Sequence, residues 1–61
     1  MKKQKYQIFI YVTDESFPTE EFVGEFWAIT PEQAKTDAID FYAHQCDTTP
    51  DHVKISNIKA I

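Results

Sequence analysis

The sequence predicts an α+β fold: a three-stranded antiparallel sheet in spatial order 2-1-3, with one helix on one face, in the chain order β-β-α-β. Three observations predict it. Two segments rich in β-branched and aromatic residues, 5–13 and 21–29, flank a stretch broken by a proline and several acids. A helix start is written at Thr30-Pro31-Glu32-Gln33. A third alternating segment follows at 52–60.

In the first strand, Tyr6, Ile8, Ile10 and Val12 share one face, and Gln7, Phe9, Tyr11 and Thr13 share the other. Both faces are largely apolar, which suits a central strand. Residues 14–20, Asp-Glu-Ser-Phe-Pro-Thr-Glu, read as the hairpin loop. The second strand then presents Phe22, Gly24, Phe26 and Ala28 on one side and Val23, Glu25, Trp27 and Ile29 on the other. Gly24 inside a strand signals a bulge or the close approach of another backbone.

The helix carries the clearest local signal. Thr30 and Gln33 have capping-box spacing, so each can satisfy an unpaired N–H at the helix start. Pro31 occupies the first helical position, where its missing N–H costs nothing. Glu32 meets the positive end of the helix dipole. Ala34, Ala38, Phe41, Tyr42 and Gln45 form one stripe, with Ile39 and Cys46 at its margin, while Asp37, Asp40 and His44 lie opposite. Asp47-Thr48-Thr49-Pro50-Asp51 ends it. In the third strand Val53 and Ile55 alternate, but Ile58 and Ala60 fall on the opposite phase. A bulge near Ser56-Asn57 restores it. A helix between strands two and three makes those strands parallel to each other, so strand one belongs in the middle.

One helix covers one face only. The short tether from Ala28 through Thr30 to Ala34 assigns Ile8, Ile10, Val12, Phe22, Phe26 and Ala28 to the helix side. The face left open then carries Phe9, Tyr11, Val23, Trp27 and Ile29, with Ile58 as a further candidate. A solvated sheet surface carries Thr, Lys, Glu and Ser instead. Large apolar groups in one place mark an interaction site, and Trp and Tyr are enriched at interface hot spots. The expected occupant is a second copy of the chain, or another protein. Folding of the tail or the hairpin loop over this face, or a reversal of the two faces, is the blander reading.

Composition narrows the function. The chain of 61 residues reads as a single domain, 1–61, with 43% hydrophobic and 15% aromatic residues, too apolar for a disordered segment. A domain this short buries only about 60% of its unfolded surface. With one cysteine it forms no internal disulfide, so self-association is the remaining source of stability. No apolar run reaches the ~20 residues of a membrane span. The lone cysteine and the lack of a signal-peptide pattern point to the cytoplasm. A formal charge of −4 and the absence of arginine argue against direct nucleic-acid binding, including base stacking on the aromatic face.

No catalytic or cofactor signature stands out. Asp37, Asp40 and His44 have metal-ligand chemistry at i, i+3 and i+7, but a solvated face with an Asp40–His44 pair explains them as well. Cys46 reads as a small buried hydrophobe. His52, Ser16 and Ser56 lack an activating context. Asp14, Glu15, Glu20 and Glu21 cluster about the hairpin, and a negative knob of this kind can dock on a basic protein surface.

The stretch Phe26-Trp27-Ala28-Ile29-Thr30-Pro31-Glu32-Gln33-Ala34, followed by Ala38, resembles a pattern in small β-β-α-β proteins of bacteriophages and mobile elements of Gram-positive bacteria. There a strand ends in a small residue and a Ser or Thr caps a helix that begins with acids and an alanine. The resemblance implies a fold and no functional residues, together with a phage-type accessory or inhibitory role.

Overall fold

The computed structural model describes residues 2–61. Its elements run β1 (Gln4–Asp14), β2 (Phe17–Ala28), α1 (Pro31–Gln45), a 3-10 turn (Pro50–His52) and β3 (Val53–Ala60). The sheet order is β2-β1-β3, with both neighbours antiparallel to β1. The fold is therefore the small β-β-α-β arrangement that the residue patterns predict.

The hairpin is tighter than the sequence suggests. Residues 14–20 are mostly strand, and only Glu15-Ser16 turns. The Asp14 carboxylate accepts a 2.9 Å bond from the Ser16 N–H, which holds the chain in the turn. Pro18 is accommodated because the register shifts between the Val12–Glu20 and Asp14–Phe17 pairs. An edge strand at an irregularity has no ladder bond for a proline to remove.

The helix begins as its capping box dictates. Thr30 Oγ accepts from the Gln33 N–H at 3.1 Å, and Gln33 Oε1 accepts from the Ile29 N–H at 2.9 Å, one residue before the cap. At the other end the Thr48 N–H donates to the Ala43 carbonyl (2.9 Å) and the Asp47 N–H to the His44 carbonyl (3.2 Å). This is a Schellman closure with Asp47 at φ 53°, the left-handed position that most helices fill with glycine.

Ile8, Ile10 and Val12 of β1, Ala28 of β2 and Val53 of β3 are buried beneath Ala34, Ala38, Tyr42 and Ala43 of α1. Two fully buried alanines let the helix sit close to the sheet. The buried stripe differs from the expected one at three positions. Phe41 is 50% exposed and Gln45 is exposed, while Ala43 is buried. Ala34, Ala38 and Tyr42 define the stripe's centre, and Phe41 falls on the β2 flank, where it meets Phe26 edge-on at 5.8 Å.

Candidate functional site

Ser56 is the extra residue in β3. Phe9 pairs with Asn57 and Ile10 with Ile55, so Ser56 bulges out and its hydroxyl donates to the Phe9 carbonyl at 3.2 Å. The bulge returns Ile58 to the level of Ile8, on the helix side, where it packs against the core. Ile58 therefore does not belong to the open face.

Register fixes what that face does carry. Alternation places Lys5, Gln7, Phe9 and Tyr11 of β1 on the side away from the helix. Beside them stand Trp27, Glu25, Val23 and Glu21 of β2. On the other flank are Lys59, Asn57 and Lys54 of β3. Ile61 continues that flank, since its N–H donates to the Lys5 carbonyl at 2.9 Å.

The face reads as four levels across the sheet. Glu21–Tyr11–Lys54 is followed by Val23–Phe9–Asn57, Glu25–Gln7–Lys59 and Trp27–Lys5–Ile61. Val23 is 56% exposed, Trp27 60% and Ile61 56%, while Phe9 and Tyr11 are half-buried. Among the described residues, no element lies over them. Ile29 is exposed too, but it sits past the end of β2, in the bend that leads to the helix.

Two lysines shield part of the aromatic surface. Lys5 Nζ lies 5.9 Å from the centre of the Trp27 ring and 3.0 Å from Glu25 Oε1. Lys59 Nζ lies 5.6 Å from the Phe9 ring centre. Interactions of this kind at an exposed site are worth about 0.5–1 kcal/mol, so the ammonium groups are easily displaced. Phe9, Tyr11 and Val23 are thus neighbours on two adjacent levels, Trp27 and Ile61 stand on the same face beyond the Glu25–Gln7–Lys59 level, and Ile29 lies at the margin. The sequence pattern missed Ile61 because its face depends on the Ser56 bulge.

No protein-family model matches the chain, and no curated protein matches it significantly. Geometry alone therefore speaks to function.

The other groups singled out in the sequence are less concerted. Asp37, Asp40 and His44 are all exposed on one helix face, and no metal-competent cluster of three such groups exists among the described residues. Burial pushes the Cys46 thiol pKa up, and the Glu20 carboxylate adds to the effect. Both disfavour the thiolate that reactive chemistry needs. Cys46 lines an open groove of about 640 Å³ between the helix and β2, with Glu20, Phe22, Phe41, Tyr42 and Gln45.

The hairpin acids do not form a single surface. Glu20 pairs with Val12 on the helix side, whereas Glu21 lies on the open face. Asp14 instead ties three elements together. Its Oδ2 accepts from the Thr48 hydroxyl at 2.9 Å and lies 3.7 Å from His52 Nδ1. The Ser16 backbone N–H and then the Thr48 hydroxyl hold its carboxyl below the usual value. His52 Nδ1 also lies 3.0 Å from Thr48 Oγ and 2.9 Å from Thr49 Oγ. Hydroxyl and carboxylate thus crowd the same ring nitrogen. A base-activated nucleophile needs them on opposite nitrogens, so this cluster pins the hairpin to the helix end.

Proposed function

We propose that this chain is a small non-catalytic interaction module that forms a homodimer by packing its open sheet face on that of a second copy. The supporting observation is the uncovered cluster of Phe9, Tyr11, Val23 and Trp27, with Val23 and Trp27 each more than half exposed. Large apolar side chains left uncovered on one face of a protein this small mark a contact site. A chain of 61 residues also gains the stability its own core is too small to supply. The cytoplasm, where a lone cysteine stays reduced, is the compartment that fits.

The alternative, an acidic phage-type inhibitor that docks on a nucleic-acid-handling enzyme, draws less support. Its carboxylates splay onto both faces of the hairpin, as Glu20 and Glu21 show.

Light scattering coupled to size exclusion, at about 100 µM protein, tests the proposal. The expected mass is twice the 7.1 kDa of one chain. Trp27→Ser, which alters an exposed side chain and leaves the core intact, is expected to give the monomer mass. A wild-type monomer at that concentration overturns the reading. A dimer indifferent to Trp27→Ser overturns the choice of face.

A further inference from the structure

The open face is polarised as well as apolar. At the level of Tyr11, Glu21 stands on one flank and Lys54 on the other; at the level of Gln7, the flanks are Glu25 and Lys59. Acids thus line the β2 side and lysines the β3 side, at matched heights, with neutral Tyr11, Phe9 and Gln7 between them. All four charged residues are exposed.

We infer that two copies pack face to face about a two-fold axis running along β1, so that the β2 glutamates of each meet the β3 lysines of the other. This rests on the homodimer reading above and adds the symmetry. A two-fold axis in the interface plane and parallel to the strands keeps height and exchanges left for right. β2 then lies over β3 of the second copy. Glu21 meets Lys54 and Glu25 meets Lys59, each twice by symmetry.

The same operation stacks Phe9 and Tyr11 on their own copies. It also sets Trp27 over Ile61, the two exposed apolar ends of one level. Lys5 is the one charge near the axis. Its bond to Glu25 and its position over the Trp27 ring draw the ammonium toward β2, away from its own copy. Aligned sheets cross at about 30°, an angle that a two-fold lying near β1 divides between the copies.

The competing face-to-face arrangement places the axis across the strands. It puts β2 over β2, with glutamate on glutamate and lysine on lysine, which like charges oppose. Charge therefore selects one symmetry from two that the apolar cluster alone would allow.

Charge exchange tests the inference. Glu21→Lys with Glu25→Lys is expected to weaken the dimer at least about tenfold, although it brings the formal charge from −4 to zero and so removes the general repulsion between copies. Lys54→Glu with Lys59→Glu is expected to do the same. All four substitutions together keep the charge at −4 and are expected to bind several-fold tighter than either double variant, because each edge again meets its opposite, but short of the wild type, because Glu25→Lys takes away the partner of Lys5. Circular dichroism of each variant checks that the surface changes leave the fold intact.

The outcomes separate this inference from the homodimer reading. A wild-type dimer that falls apart with Trp27→Ser but tolerates the paired glutamate changes keeps the face and overturns the axis. Four-fold exchange that binds no better than either double variant also overturns the axis. A wild-type monomer overturns both.

Discussion

A Cβ built on Gly24 would stand 2.6 Å from the Tyr42 hydroxyl oxygen and 2.8 Å from Cε1 of Phe26, both well inside van der Waals contact. The glycine therefore makes room for a side chain; the sequence alone suggests a neighbouring backbone. Tyr42 is held there by a stack on Phe22 at 5.0 Å and by edge contacts with Phe26 and Phe41, so it does not swing away freely. Gly24→Ala gains about 0.5–1 kcal/mol of strand preference. The overpacking costs about 1–3 kcal/mol and decides the sign. The expected result is a net loss of about 1 kcal/mol in urea unfolding. In a Tyr42→Phe background, which removes the nearest of the clashing atoms, the same substitution is expected to cost less. An equal penalty in both backgrounds would show that Tyr42 is not the obstacle.

Elements were legible where a local rule sets them. The cap at Thr30, Pro31 at the first helical turn and the alternation in β1 each act within a few residues, and each is found where the pattern puts it. Features that depend on partners were less legible. The hairpin turn shrank to Glu15-Ser16 because pairing with β1 extends β2 back through Pro18. Phe41 left the core because the helix's rotation answers to the sheet beneath it. The bulge was visible as a slip of phase, but only pairing with β1 shows that it forms, and its forming sets the faces of both Ile58 and Ile61. Ser56 is the bulged residue. Its deletion leaves Ile55, Asn57 and Ile58 in unbroken alternation, and chiefly removes the hydrogen bond from Ser56 Oγ to the Phe9 carbonyl. Such a bond contributes about 0.5–1.5 kcal/mol. The deletion is expected to preserve the fold, with a melting temperature lower by roughly 2–10 °C. Loss of cooperative unfolding would instead mean that the bulge itself shapes the sheet.

For the whole molecule, size and symmetry determine how dimer and fold are linked. The chain's long dimensions are 40 × 16 Å, so full face-to-face packing removes on the order of 1,200 Å² in total, the lower end of the range for stable complexes. Affinity in the micromolar range follows from so small an area with only a few aromatic anchors. Association then contributes to folding through mass action, and each tenfold rise in concentration above the dissociation constant favours the dimer by about 1.4 kcal/mol, or ~0.7 kcal/mol per chain. For a domain of this length that is a rise in melting temperature of roughly 3–5 °C per decade. Trp27→Ser is expected to melt at a temperature independent of concentration, and the double variant Glu21→Lys with Glu25→Lys to begin its rise only at concentrations about tenfold above those of the wild type. The four-fold charge exchange is expected to begin its rise between the two. Calorimetry from about 5 to 500 µM reads all four proteins on one scale. A wild-type melting temperature that stays flat across that range would mean that the β-β-α-β core carries the fold alone, and that the aromatic face adds nothing to its stability.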